Sequence, residues 1–218
     1  MKYRDIRKDA EIHALIRQAD ENLSALGFTD HSESHACLVA DRAAEILETL
    51  GYRSHQVELV KIAGYMHDIG NAVNRRHHAE YGALLANDIL KQYDIDPQDR
   101  LQIVSSIGQH DESTGMAINP VSAALIIADK SDVRRDRVRT KLKSGFDIHD
   151  QVNYAVTRSV LEINKDKKAI VLNLDLDEKI CTMYEYFDIF LARMVMCRKA
   201  AELLGMKFKL MVNGNKVL

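Results

Sequence analysis

A chain of 218 residues, 46% of them hydrophobic, is long enough to bury a core of ordinary size and fits one domain or one domain with a small appendage. Thirty basic residues against 32 acidic ones leave a formal charge of −2, which excludes the overall cationic field that holds duplex nucleic acid. No stretch reaches the roughly 18 uncharged apolar residues of a membrane span, and the charged start has no apolar signal region, so a cytoplasmic location without membrane contact is expected.

With two prolines and ten glycines there is little punctuation, and up to about residue 140 apolar residues recur at three- and four-residue intervals. The first predicted helix places Ile6, Ile12, Leu15, Ile16, Leu23 and Leu26 on one stripe that ends at Gly27. The second, "ESHACLVADRAAEILETLG", has Ser32 or Ser34 as its cap and Gly51 as its stop. Further helices are expected at 55–67, 76–93, 97–110 and 119–133. Near residue 150 the pattern changes: the β-branched run "NYAVTRSVLEI", the turn "NKDKK" and the strict alternation of Ile170, Leu172, Leu174 and Leu176 predict a hairpin. A long helix follows, with Ile180, Met183, Phe187, Phe190, Met194, Cys197, Ala201 and Leu204 on one face, then a short strand, "MKFKLMV", before an Asn-Gly turn. The reading is a mostly α chain: a helical body over 1–150 and a small α/β appendage over 151–218. The wide apolar stripe of 180–204 reads as core, with part of it available for a homodimer contact. The cysteines Cys37, Cys181 and Cys197 are odd in number and fall in predicted helices, so they read as buried thiols in a reducing compartment.

The chemistry concentrates in "YMHDIGN". His67 and Asp68 stand side by side at the end of an apolar helix, with Gly70 supplying backbone freedom for the turn. Alone, the pair reads more readily as a buried hydrogen bond than as half of a metal site. The other candidates are His35 in "DHSESHACLV", His78 in "HHAEYGA", His110 in "IGQHDES" and Asp129 in "ALIIADKSD", each at or near a helix end. Imidazole and carboxylate are ligands suited to iron, manganese, zinc or nickel, and a binuclear centre needs several of them plus a carboxylate able to bridge.

The order of these residues resembles the HD-domain phosphohydrolase superfamily over about residues 25 to 140, with "GYMHDIGN" and "LIIADKSD" as the specific parts. The two intermediate histidines, and Gly82 four residues after His78, resemble the binuclear branch found in HD-GYP phosphodiesterases and HD-type diadenosine tetraphosphate hydrolases. The resemblance implies an HD-domain helical bundle in which His35, His67, Asp68 and Asp129 hold one metal while Asp68 bridges to a second held by His78 and His110. Two divalent ions, iron or manganese first, would then activate water against a small phosphorylated substrate. Asn71 replaces the lysine of many HD-GYP members and "QHDESTGMAINP" lacks their Gly-Tyr-Pro stretch, so cyclic dinucleotide cleavage is not implied.

Cations for a phosphate are sought in Lys130, Arg134, Arg135, Arg137, Arg75 and Arg76. His31, one turn before His35, is a candidate general acid or outer-shell ligand, and Asp111 and Asp132 are candidates to orient the rings of His110 and of the other half. The catalytic set expected is therefore Asp68, His31 and Lys130. Two other functions share the scaffold: a diiron oxygenase, and a non-catalytic nucleotide-sensing regulator with a structural metal.

Overall fold

The computed structural model describes residues 1–139 and 148–218; residues 140–147, which the sequence division puts in the helical body, lie outside them. The helices are α1 (Tyr3–Ile6), α2 (Ala10–Ala25), α3 (Glu33–Leu50), α4 (Ser54–Met66), α5 (His78–Leu90), α6 (Pro97–Gly108), α7 (Pro120–Lys130), α8 (Ile148–Ala155) and α9 (Met183–Leu203), with short 3₁₀ turns at Ile69–Ala72 and Arg135–Arg137. The strands are β1 (Val156–Asn164), β2 (Ala169–Leu176), β3 (Lys207–Val212) and β4 (Asn215–Lys216). The chain is thus mostly helical with a small C-terminal sheet, as its periodicity predicts.

Local chemistry sets the boundaries. Both prolines of the sequence begin helices, Pro97 behind the Asp96 cap and Pro120 behind the Asn119 cap, where a missing N–H costs nothing. Thr182 and Glu185 form a reciprocal capping box at the start of α9. Gly51 ends α3 in the left-handed conformation, φ 84°. Ser32 occupies the cap position of α3, but its hydroxyl donates to Asp30 instead of closing the helix.

Three expectations are corrected. The stripe from Ile6 to Leu26 is not one helix, because the Asp9 side chain accepts from the amides of Glu11 and Ile12 and starts a new one. The segment "NYA" closes α8 rather than opening the hairpin, which starts at Val156. Cys37 is only half-buried and Cys181 precedes α9, while Cys197 is fully buried.

Helix α7 is apolar on nearly every side, Val121 through Ala128 being buried, which marks it as the central helix. It packs on α3, α4, α6 and α9. Gly64 lets α3 and α4 approach closely, since a Cβ there would lie 2.8 Å from the Ala40 Cα. In the sheet, β1 and β2 form the predicted antiparallel hairpin, and β2 runs parallel to β3, with α9 as the crossover between them. β3 turns into β4 through Asn213 and Gly214, both at positive φ. One contiguous apolar cluster joins Ile107 and Leu125 of the helical body to Phe190 and Met194 of α9 and Leu172 and Leu210 of the sheet. Burying each such side chain contributes about 1.5–3 kcal/mol. No helix among the described residues is long and apolar enough to cross a membrane.

Candidate metal centre

Five element ends converge on one point. His35 comes from the first turn of α3, and His67 and Asp68 from the junction of α4 with the following 3₁₀ turn. His78 opens α5, His110 follows α6, and Asp129 lies in the last turn of α7. The imidazoles of His35, His67, His78 and His110 are all buried.

Their orientations are fixed from behind. His67 Nδ1 lies 2.7 Å from Gly64 O, His78 Nδ1 3.1 Å from Arg75 O and His110 Nδ1 2.6 Å from Ile107 O, each ring using the carbonyl three residues earlier. His35 Nδ1 lies 2.8 Å from Asp132 Oδ2. Carbonyl and carboxylate oxygens only accept, so Nδ1 carries a proton in every ring and each Nε2 points inward.

Inward, those nitrogens meet carboxylates. His67 Nε2 is 3.1 Å and His35 Nε2 3.7 Å from Asp68 Oδ2, while Asp129 Oδ1 is 3.5 Å from His35 Nε2 and 3.8 Å from His67 Nε2. On the other side, Asp68 Oδ1 is 3.7 Å from His78 Nε2 and 3.8 Å from His110 Nε2. The two oxygens of Asp68 therefore face two different histidine pairs. His78 and His110 approach Nε2 to Nε2 at 3.2 Å. His35 Nε2 and His67 Nε2 are buried without a hydrogen-bond partner. Ring nitrogens crowded on one another and on anionic oxygens in a buried site are stabilised by a cation, and a divalent metal ion fits the donor set. The groups His35–His67–Asp129 and His67–Asp68–His110 each bring ligand atoms within 4.8 Å of one another.

Burial opposes protonation of His67, but Asp68 and Asp129 outweigh it and raise its pKa, so these carboxylates draw positive charge to that ring. Burial opposes ionisation of Asp68 and Asp129, but His67 and His110 beside Asp68, and Lys130 and His35 beside Asp129, outweigh it and hold both carboxyls well below the usual range. Burial and the neighbouring His110 lower the His78 pKa to about 3, keeping that ring neutral.

The surroundings differ from the expectations in instructive ways. Lys130 is buried, and its ammonium lies 2.7 Å from Glu112 Oε2 and 2.9 Å from Asp129 Oδ2, so it is held by carboxylates. Asp132 receives the His35 ring, but Asp111 does not reach His110: it lies 3.6 Å from His78 Nδ1 and caps Ser113. His31 stacks edge-on against His35 at 5.5 Å, with Nδ1 2.7 Å from Thr29 O. Burial, with Arg137 alongside, lowers its pKa well below the ordinary histidine value. The ring is anchored at Nδ1 and lines the cleft. Gly70 has no positive φ; what it provides is room, since a Cβ there would lie 2.0 Å from His78 O and 2.4 Å from Gly82 N.

A cleft of about 650 Å³, counting its open mouth, lies over these residues. Of the expected cations, Lys130, Arg75 and Arg137 line it. Arg134 is paired with Asp132 and Asp136, Arg135 sits over the Tyr154 ring, and Arg76 is exposed away from it. Four lining or supporting residues were missed. Asn71 donates to Asp68 Oδ1 at 2.9 Å, Glu112 holds Lys130, and His149 and Arg193 reach the cleft from α8 and α9. Only Asn71, one helical turn after Asp68, carried a sequence signal for its position.

Residues 33–134 match the family described as HD domain. An uncharacterized protein of Methanocaldococcus jannaschii is 27% identical over 203 residues, covering 82% of this chain and 77% of its own. The crystal structure of a predicted HD superfamily hydrolase from an uncultured Thermotogales bacterium is similar over 57% of this chain and 67% of its own, at 24% identity and a TM-score of 0.45. His35, His67, Asp68, His78, His110 and Asp129 all fall inside the matched segment, and that match supports the HD superfamily for this part of the chain.

Proposed function

We propose that the protein is a metal-dependent phosphohydrolase that cleaves a phosphomonoester or phosphodiester of a nucleotide or similar small metabolite. The HD-domain match supports a metal-dependent hydrolase. The observation that carries the binuclear reading is the split of Asp68, whose Oδ2 faces His35 and His67 while Oδ1 faces His78 and His110. His35, His67, Asp68 and Asp129 would hold one ion, and Asp68, His78 and His110 the other. The nitrogen and oxygen donors favour iron or manganese. Bound there, the ions would supply a water activated at neutral pH and neutralise charge on the phosphoryl oxygens.

The chain's own residues prepare that chemistry. Asn71 holds Asp68 Oδ1, the oxygen that faces His78 and His110, and Lys130 holds Asp129 Oδ2, leaving Asp129 Oδ1 aimed at His35 and His67. His31 offers an acceptor at the edge of the cleft. Arg75 is the loosest cation beside the second histidine pair: its Nη1 is 3.4 Å from both Asn71 Oδ1 and His78 Nε2, so an incoming phosphate displaces little. Its guanidinium carbon lies 5.4 Å from the centroid of the Phe28 ring, which gives it a fixed platform.

Metal analysis of protein purified without chelator, followed by a panel of phosphorylated metabolites assayed with and without oxygen, tests the proposal. Two equivalents of transition metal and oxygen-independent phosphate release are expected. Less than one equivalent after reconstitution removes the binuclear reading. Turnover that requires oxygen points instead to a diiron oxygenase, and nucleotide binding without product under any metal to a sensor.

A further inference from the structure

One cation in the cleft comes from outside the HD-matched segment. Arg193 lies on α9, the crossover helix of the sheet, and its side chain is 19% exposed. Two contacts fix it. Its Nε donates to Glu112 Oε1 at 2.9 Å, and its guanidinium carbon lies 4.5 Å from the centroid of the Phe190 ring. Glu112 is already engaged through Oε2 with Lys130, which also holds Asp129, so one carboxylate serves two cations. Among the described residues, Glu112 is the one hydrogen-bond or ion-pair partner of Arg193, reached through Nε, so both Nη nitrogens remain available. A guanidinium is a planar fork; with Nε tied down and one face against a ring, the Nη1–Nη2 edge is left as two parallel donors that match two oxygens of a phosphate.

We infer that Arg193 binds the phosphoryl oxygens of the substrate, which makes the site a composite of the HD segment and α9. This rests on the phosphohydrolase reading. The competing role is structural: Arg193 would only hold Glu112, and through it Lys130 and Asp129.

Inorganic phosphate titrated into the full-length, metal-loaded protein by calorimetry separates the two. Arg193→Gln should weaken phosphate binding about tenfold to a hundredfold, the range for a charge-assisted hydrogen bond. Arg193→Lys, which keeps the charge but loses the fork, should fall between. Metal content should stay at the wild-type level in both, because Arg193 touches none of the histidines or aspartates of the centre. Glu112→Gln is the discriminating variant. If Arg193 contacts phosphate directly, relieving the carboxylate leaves phosphate affinity equal or tighter; if Arg193 works through Glu112, the Gln variant weakens binding as Arg193→Gln does, and the inference fails. Loss of metal together with phosphate affinity in Arg193→Gln also overturns it. A wild-type protein that neither binds phosphate nor hydrolyses any phosphoester removes the phosphohydrolase reading and this inference with it. An active wild type with an unaffected Arg193→Gln variant removes the inference alone.

Discussion

Replacing Gly70 by alanine tests how the His-Asp turn is built. The added methyl carbon would lie 2.0 Å from His78 O, 2.4 Å from Gly82 N and 2.9 Å from His78 C, all backbone atoms that cannot rotate away. Restoring ordinary contact requires the start of α5 to move by about 1 Å, because real Cβ contacts essentially never fall below 3.0 Å. Overpacking of this kind costs about 1–3 kcal/mol. It also displaces His78 relative to Asp68, and a misplacement of about 1 Å at a reacting centre costs about 100-fold in rate. Gly82, the partner across the contact, provides the calibration. A Cβ there meets His67 O at 3.1 Å, so only tenths of an ångström are needed. The strain at that helical position is offset by about 1 kcal/mol of helix propensity gained on going from glycine to alanine. Urea denaturation should therefore show a clear loss of stability for Gly70→Ala and little change for Gly82→Ala. If the proposed binuclear centre forms, metal analysis should show depletion of the ion at His78 and His110, with the one at His35, His67 and Asp129 retained, since α3, α4 and α7 do not ride on Gly70. Equal midpoints and equal metal content in the two variants would refute the packing argument.

Asp68→Asn keeps the volume of the side chain but cannot bridge with two anionic oxygens, so it should remain folded by circular dichroism while losing activity and most of its metal; a fully metallated, active variant would return the pair to a buried hydrogen bond. Asp132→Asn removes the anion behind His35 and should lower metal affinity about 10- to 100-fold, measured by competition with a chelating dye, with unchanged affinity counting against the orienting role. Burial alone would raise the Glu112 pKa, but Lys130 and Arg193 outweigh it and hold it well below the usual value. A depressed folded pKa contributes stability that is fully present above the unfolded value of about 4.3 and is lost as pH falls toward the folded one. The urea midpoint of metal-free protein should thus drop between about pH 5 and pH 3, more steeply in wild type than in Glu112→Gln, and parallel curves would contradict the ion-pair assignment.

The residues around the centre were legible to the degree that their placement is local. His67 and Asp68 at a helix end, His35 near a helix start and Asp129 near the end of an apolar helix follow from periodicity and caps, while their grouping into one centre came from the resemblance to the HD superfamily. The hairpin was legible for the same reason, since Ile170, Leu172, Leu174 and Leu176 alternate without a break. Arg193 was hidden because its helical face reads as core, and only the crossover of α9 from β2 to β3 carries it to the cleft. The role of Gly70 was misread because a glycine beside a turn signals freedom of φ, whereas close approach depends on which helix returns from afar. Asp111 was misassigned because adjacency to His110 suggested a partner that the Ile107 carbonyl already supplies.

The anchoring of the imidazoles has an evolutionary consequence. His67, His78 and His110 are each held in their tautomer by a main-chain carbonyl three residues earlier. No substitution at Gly64, Arg75 or Ile107 can delete that acceptor, because every amino acid brings the same carbonyl. His35 alone relies on a side chain, Asp132, which also faces Arg42, Arg134 and Arg137. Sequence drift can therefore leave three rings oriented while a single codon change unsettles the fourth, and in lineages that abandon the chemistry, position 132 is where decay of the centre can begin without touching any histidine.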